Sequence, residues 1–299
     1  MGKPCLHELK TPRADRPALG IALMVLAMFL LSVMDTVSKH LTDTLAVPQI
    51  LAIRFWIFIL FALALASSNG LARTIRSATP GLQLLRSVIM LGQMSAFIFA
   101  VSYLPLADVG AIFAVAPLLV MLLASLLLGE SIGPRRAAAV ALGFVGVLII
   151  IRPGTGVFDP ISLIALAGAT CWACFQILLR VVGRSDSVYT TTLFSAMVGS
   201  AAFSLVTPFV WRSPDPATWL WLLVLGSLGA IGHYLLSVAF RHAPASTLQP
   251  FAYTMPLWAV VMGWLVFHDI PDSWTFIGGG LVIASGLYAL RRERAAAEA

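Results

Sequence analysis

The chain has 299 residues, of which 60% are hydrophobic and only 11% are charged, and its formal net charge is +6. Soluble domains average roughly 25% charged and 45–50% apolar residues, so this composition excludes a soluble globular domain. With a mean hydropathy of +0.94, the chain is predicted to be an integral membrane protein.

A polar, basic stretch at residues 1–17 opens the chain and is predicted to be a tail without fixed structure. The apolar run after it is longer than a signal-peptide core and ends without a small-residue cleavage site, so we expect it to be retained. Ten apolar segments follow, each about the length that crosses 30 Å of hydrocarbon as a helix. The alternating pattern of a membrane barrel is absent, which predicts an all-α bundle. The ten segments are 18–40, 47–67, 83–103, 107–128, 135–151, 160–181, 188–210, 218–240, 245–267 and 274–291.

The positive charges predict how the bundle is oriented. With ten crossings, both ends of the chain lie on one side, which carries fourteen Lys and Arg residues, whereas the other side carries Lys39, Arg152 and Arg212. Because positive charge accumulates on the cytoplasmic side, both tails, including residues 292–299, are predicted to be cytoplasmic and the 152–160 loop periplasmic. This orientation accounts for the basic pI of 9.7, so no nucleic-acid partner is predicted.

The second half of the chain repeats the first. When residues 105–130 are shifted by 139 positions onto 244–269, prolines align with prolines and acid with acid. The aligned pairs are Pro105 with Pro244, Pro117 with Pro256, Glu130 with Asp269 and, upstream, Asp35 with Gln176 and Lys39 with Arg180. We therefore predict two five-helix repeats, residues 18–152 and 157–291.

An odd number of crossings per repeat inverts the second repeat relative to the first. Inverted repeats are typical of secondary transporters, whose substrate sites lie near the midplane beside broken helices. Pro117 and Pro256 lie near mid-depth of equivalent segments, and each removes a backbone hydrogen bond. They are therefore predicted to be helix breaks involved in gating, although membrane helices also tolerate proline for packing alone.

Helical periodicity selects one inward face on several segments. These faces carry amide, imidazole and aromatic groups, which together would line a cavity for an asymmetric ligand. For each aromatic residue, packing is an equally good alternative, and for each glutamine the alternative is a hydrogen bond between helices. The candidate substrate-binding residues are Gln93, Phe97, Trp172, Gln176, His233, Tyr234, Gln249 and Tyr253.

Charged residues inside the segments are expensive and need partners. Asp35 and Arg54 lie near the outer ends of neighbouring helices and are predicted to form a pair, with Lys39 close by. The pair would either hold an outer gate shut or tie two helices together. Arg86 begins its segment, where its side chain can extend to the cytoplasmic surface.

The remaining motifs do not predict an enzyme. A Walker loop, an HExxH motif and a GxSxG motif are all missing from the sequence. Cys171 and Cys174 could be a redox pair or half a metal site, but within a membrane helix they are better explained as small packing residues. No cofactor or metal is predicted. A channel would need a filter or a ring of subunits, and a sensor would need an output domain, so both classes are disfavoured.

Nearly the whole chain resembles the EamA-type drug/metabolite transporters. The stretches that carry this resemblance are "SVMDTVSKHL" (32–41), "AIRF" (52–55), "LLRSVIMLGQMSAFIFAVSYLPLADV" (84–109), "APLLVMLLASLLLGE" (116–130) and "GFVGVLIIIRPG" (143–154). One departure is His268–Asp269, where the first repeat has Gly129–Glu130. The resemblance implies ten helices and transport without ATP.

Within that family, the resemblance favours the bacterial exporters of aromatic and other amino acids. The expected function is export of a small hydrophobic or aromatic amino acid across the inner membrane, by alternating access around a midplane cavity. Uptake of another metabolite, such as a nucleoside-like compound, and multidrug export are the alternatives. The lipid bilayer and the cargo are the expected partners, and a monomer would suffice. Facilitated diffusion and proton coupling through Asp35 or His233 both remain open.

Overall fold

The computed structural model describes residues 17–128, 133–152, 159–183, 185–243 and 245–297, and the regular structure within these ranges is helical throughout. The tail at 1–16 lies outside them, as does Glu130. A short 3-10 turn, Thr207–Phe209, follows α9. The helices are α1 (Pro17–Thr42), α2 (Val47–Asn69), α3 (Leu71–Ile75), α4 (Pro80–Val101), α5 (Leu106–Phe113), α6 (Ala116–Leu128), α7 (Pro134–Ile151), α8 (Ile161–Val182), α9 (Val188–Val206), α10 (Pro216–His242), α11 (Ala245–Ala252), α12 (Thr254–Phe267) and α13 (Ser273–Ala297).

These helices make the predicted ten crossings. Eight stretches are long and apolar enough to span a bilayer, and Ala137–Ile151 in α7 and Ser273–Ala289 in α13 are shorter apolar helices. Helix α3, which the sequence did not predict, lies in the linker between two crossings. The all-α, ten-helix fold class is confirmed. We call the side of the bundle where α1 begins and α13 ends the terminal side, and the opposite side the far side.

Two crossings are broken close to the predicted prolines. Helix α5 ends at Phe113 and α6 begins at Ala116, which places Pro117 in the first turn of α6. In the second half, α11 ends at Ala252 and Pro256 lies in the first turn of α12. A helix tolerates proline in its first turn because the N–H groups there have no partner within the helix.

The two halves pack with an approximate twofold relation. Helix α1 packs along α10, and in the equivalent place α8 packs along α4. Likewise, α12 lies against α1 and, in the equivalent place, α6 lies against α8. Two helices contact the equivalent helix of the other half: α2 contacts α9, and α7 contacts α13. Because each half crosses the membrane five times, this relation inverts the second repeat and leaves a space between the halves.

Close backbone contact fixes α13 against α7. A Cβ atom on Gly146 would lie 2.7 Å from the carbonyl oxygen of Gly278, and one on Gly278 would lie 2.5 Å from the carbonyl oxygen of Gly146. Small residues allow membrane helices to approach this closely. Further along α13, Gly286 makes room for Tyr253, whose hydroxyl occupies the place of a Cβ. The absence of a side chain at Gly286 thus sets how closely Tyr253 approaches α13.

Candidate substrate cavity

A central chamber of about 150 Å³ lies between the two broken crossings. Pro117 and Pro256 line it from opposite halves, and α1, α2, α4, α8 and α10 supply most of the remaining wall. The wall is largely apolar, with methionine and aromatic side chains. A concave apolar cavity with a few placed polar groups is the usual form of a small-molecule site. The main polar lining residues are Ser32, Asp35, Arg54, Gln93, Gln176 and His233.

Asp35 and Arg54 bring an acid and a base into this chamber. Each is 6% exposed, and none of the ion pairs in the described part of the chain joins them, although Asp35 lies within electrostatic reach of Arg54. Arg54 Nη2 lies 3.5 Å from Nε2 of His233. Gly229 leaves room for the guanidinium, since a Cβ there would lie 3.3 Å from Arg54 Nε. An acid and a base at membrane depth could both be satisfied by a cargo that carries opposite charges.

Three buried polar atoms at the central chamber have no hydrogen-bond partner among the described residues: Ser32 Oγ, Gln93 Oε1 and Tyr253 Oη. Buried polar groups are normally paired, so such atoms call for an explanation. Ser32 and Gln93 can hydrogen-bond a cargo. Tyr253 differs because its hydroxyl is directed at Gly286 of α13, so its ring is the part available to the chamber.

A second chamber, of about 130 Å³, adjoins the first on the terminal side, and we call it the terminal-side chamber. Both chambers are lined by Arg54, Trp172, Gln176 and His233, so they are adjacent, and we call the two together the cavity. The rings of Trp172 and Phe175 stack with centroids 5.3 Å apart and planes inclined by 18°. Trp172 lines both chambers and Phe175 lines the terminal-side chamber, and we call the two rings the Trp172–Phe175 wall.

Arg86 points into the terminal-side chamber and is only 1% exposed. Its Nη2 donates to the carbonyl oxygen of Thr191 at 2.9 Å and to Ser195 Oγ at 2.7 Å, and its Nε donates to Gln83 Oε1 at 3.2 Å. The guanidinium lies 5.3 Å from the ring centroid of Phe175. The expectation that Arg86 extends to the membrane surface is therefore wrong, because α9 offers acceptors that draw it inward.

Ion pairs join the two halves on the far side. Lys39 Nζ donates to Asp269 Oδ2 at 3.2 Å and to the carbonyl oxygen of Leu104 at 3.0 Å, and it lies 5.0 Å from the ring centroid of Phe267. Arg152, at the end of α7, pairs with Asp272 at the start of α13. Lys39 thus contacts Asp269, a residue far away in the sequence, and lies outside the chamber that holds Asp35 and Arg54.

A different arrangement connects the halves on the terminal side. Asp186, between α8 and α9, accepts hydrogen bonds from Ser77 Oγ (2.5 Å), the Ala78 N–H (2.8 Å), Thr79 Oγ1 (3.3 Å) and Gln83 Nε2 (2.9 Å). Burial opposes ionisation of this carboxyl, but the four hydrogen bonds outweigh that effect and hold the pKa of Asp186 below its usual value. Through Gln83, the same carboxylate helps to orient Arg86.

The corresponding connection on the far side uses Gln49. Its Nε2 donates to the carbonyl oxygen of Arg212 at 2.6 Å, and the Arg212 N–H donates to its Oε1 at 3.0 Å. Gln49 lies in the first turn of α2, and Asp186 lies just before the equivalent helix α9. Their partners also correspond, since Arg212 precedes α10 and Ser77 precedes α4. The two connections therefore occupy equivalent places in the inverted halves.

The structure brings most of the predicted cavity residues together. Tyr234 lines the terminal-side chamber, is 40% exposed and packs edge-on against Phe61, and the side chain of Gln249 lies outside the described part of the chain. Helical periodicity places Arg86 seven residues before Gln93 on the same face of α4, but it does not give the inward direction of the Arg86 side chain. The predicted binding residues that line the central chamber are Gln93, Phe97, Trp172, Gln176, His233 and Tyr253.

Comparison with known proteins agrees with this architecture. The model of the EamA-like transporter family matches residues 18–152 and 160–291. A riboflavin transporter of Rhizobium johnstonii is 30% identical over 93% of each chain. An S-adenosylmethionine uptake transporter of Rickettsia felis is 24% identical, covering 93% of this chain and 94% of that one. A pseudopaline exporter of Pseudomonas aeruginosa is 28% identical, covering 92% and 97%.

A solved crystal structure superposes with a TM-score of 0.65, covering 94% of this chain and 99% of that one at 20% identity, which supports the fold.

Proposed function

Because the chain belongs to the EamA-like transporter family, we propose that it carries a small aromatic or hydrophobic amino acid across the inner membrane, with the central chamber as its binding site. The family makes the chain a secondary transporter and not an enzyme. The proposal adds the class of cargo and the chamber to this assignment. Export is the proposed direction, although similar proteins are named for both uptake and export.

The observation that carries the proposal is the placement of Asp35 and Arg54 in one apolar chamber. The ammonium group of an amino acid would pair with Asp35 and its carboxylate with Arg54, whose planar guanidinium suits a carboxylate. The side chain of the cargo would then lie against Trp172, whose ring lines the central chamber and stacks on Phe175. Gln93 and Ser32 would supply further hydrogen bonds.

Riboflavin is a second candidate cargo, and a specific observation favours it. Several relatives in different bacteria are named riboflavin transporters, and the Trp172–Phe175 wall offers aromatic rings at both chambers. A planar heteroaromatic ring could stack on that wall and form hydrogen bonds without using the charge of Asp35.

Counterflow into liposomes that contain the purified protein separates these candidates. Vesicles preloaded with unlabelled phenylalanine, tryptophan or riboflavin would be tested for uptake of the same labelled compound. We expect saturable counterflow with the aromatic amino acids. If only riboflavin shows counterflow, riboflavin is the cargo and the amino acid is not. A linear, non-saturable flux would contradict a carrier mechanism.

Substitutions at Asp35 and Arg54 test the site itself. Either Asp35→Asn or Arg54→Gln should reduce amino-acid counterflow at least tenfold, because one charge is then left without its counterpart. If the two side chains act together, the double variant should lose less than the product of the single losses. Ser38→Ala, a buried substitution on α1 outside both chambers, serves as the control for packing changes. Strictly multiplicative losses would show that Asp35 and Arg54 act independently.

A further inference from the structure

The terminal-side chamber holds two buried positive charges and, among its described lining residues, no acid. Arg54 and Arg86 are 6% and 1% exposed, and Asp35 lines only the central chamber. A buried guanidinium without a counterion is costly where the dielectric constant is low. Because Asp35 lies within electrostatic reach of Arg54, Arg86 is the charge in this chamber that an anion would satisfy.

Arg86 is held in place by groups that leave its charge uncompensated. Its hydrogen-bond acceptors, namely Gln83, Ser87, Ser195 and the Thr191 carbonyl, are all neutral. The described residues offer it no carboxylate within ion-pair distance and no hydrogen bond to Nη1. Asp186 contacts Gln83 rather than Arg86. The guanidinium is thus fixed by one edge while its other edge is available to a cargo.

The surroundings of Arg86 suit an anionic group joined to an apolar or aromatic body. Tyr189, Thr192 and Ser195 bring hydroxyl groups to the same chamber, and the Trp172–Phe175 wall connects it to the central chamber. An anion at Arg86 could therefore belong to a molecule whose apolar part lies on that wall.

We infer that the terminal-side chamber binds a carboxylate or phosphate group of the cargo through Arg86. This inference rests on the proposed function, because it assigns one part of the same cavity. Across both chambers the charged lining residues are Arg54, Arg86 and Asp35, and they complement such a cargo better than a neutral molecule.

Matched probes test the inference on the purified full-length protein. The probes are 3-phenylpropionate, phenyl phosphate and the neutral 3-phenylpropionamide, and the measurement is the unfolding temperature in detergent as a function of probe concentration. We expect stabilisation by the acid or the phosphate at concentrations at least tenfold lower than by the amide. Whichever anion acts at the lower concentration identifies the preferred group. Equal responses to the acid, the phosphate and the amide would overturn the inference.

Arg86→Gln should abolish the difference between the anionic and neutral probes, whereas Arg76→Gln, which removes the same charge from an exposed position on the terminal side, should preserve it. Since Arg86 also joins α4 to α9, Thr192→Asp provides a test that leaves Arg86 intact. The new carboxylate should raise the unfolding temperature without any probe and abolish the response to anions. A Thr192→Asp protein that still responds to the anions would contradict the inference.

The outcomes separate this inference from the proposed function. If the anions stabilise the protein through Arg86 but no amino acid shows counterflow, the proposed cargo fails and the anion site stands. If amino acids show counterflow but the anionic and neutral probes act alike, the proposed function stands and the anion site fails.

Discussion

The two sides of the bundle are connected by different chemistry. On the far side, the ion pairs Lys39–Asp269 and Arg152–Asp272 join the halves, and their side chains are 17–45% exposed. On the terminal side, Asp186 is surrounded by neutral donors and Arg86 by neutral acceptors. A partly exposed ion pair contributes roughly 0–1 kcal/mol and is readily exchanged for water, whereas a carboxylate with four donors is costly to disrupt.

The inverted repeat shows which contacts have to change when access alternates. The Gln49 and Asp186 connections are equivalent in the two halves and are present together. Neither connection therefore has to break when access to the cavity switches from one side of the bundle to the other. Lys39 and Asp269 align in sequence with Arg180 and Glu130, whose side chains lie outside the described residues. The ion pair Lys39–Asp269 is therefore the far-side contact that we expect to open.

The largest effect is expected in a test of which side of the bundle faces the cytoplasm. A reporter that is active only outside the cytoplasm should be active when fused after Gly154 and silent when fused at Arg292. The reason is the excess of Lys and Arg on the terminal side. The measurement is reporter activity in whole cells, normalised to the amount of fusion protein. The reverse pattern would show that the terminal side faces the periplasm and the far side faces the cytoplasm.

The second largest effect is expected when the Asp186 connection is removed. Asp186→Ala removes the acceptor of four hydrogen bonds, so the free energy of unfolding should fall by about 2 kcal/mol. Thermal unfolding in detergent measures the change. Because the folded-state pKa of Asp186 is lowered, its contribution is complete above about pH 4 and is lost as the pH falls through the folded-state pKa. The variant should lack this acid-dependent loss, and a variant that retains it would contradict the assignment.

Breaking the far-side ion pair should cost less stability and change access more. Asp269→Ala should lower the free energy of unfolding by less than about 1 kcal/mol, since the pair is partly exposed. A cysteine replacing Gln93, in a chain whose native cysteines are replaced by serine, should then react faster with an impermeant reagent added from the far side. Ser213→Ala is the control on the same side. A loss of stability as large as that of Asp186→Ala would remove the contrast between the two sides.

The smallest effect is expected at the end of α12. His268 has a positive φ of 57°, in the left-handed region that favours glycine, and the aligned residue of the first repeat is Gly129. His268→Gly should therefore stabilise the protein by up to about 1 kcal/mol, offset in part by the greater freedom of glycine in the unfolded chain. A lower unfolding temperature would show that the His268 side chain contributes more than its backbone conformation costs.

Local chemistry allowed much of the fold to be predicted. Pro117 cannot donate a backbone hydrogen bond whatever surrounds it, so the break between α5 and α6 could be placed within a few residues from the sequence. The same holds for Pro256, and segment length together with apolar composition predicted the ten crossings.

The directions of long side chains could not be predicted in this way. Lys39 contacts Asp269, 230 residues away, and only the tertiary packing of α1 against α12 brings the two together. The position of Arg86 at the start of a crossing is compatible with either an outward or an inward side chain. The acceptors on α9 decide between the two, and α9 is about a hundred residues away in the sequence.

The two helix breaks also leave carbonyl groups that no side-chain substitution can remove. In a continuous helix, the carbonyls of Phe113 and Ala252 would accept from the N–H groups of residues 117 and 256, but prolines occupy both positions. Phe113 and Ala252 line the central chamber, so a cargo with an N–H or O–H group could use their main-chain oxygens as acceptors. Alanine substitution of the other lining residues would overlook such recognition. Pro117→Ala would reveal it, because the new amide would compete with the cargo for the oxygen of Phe113.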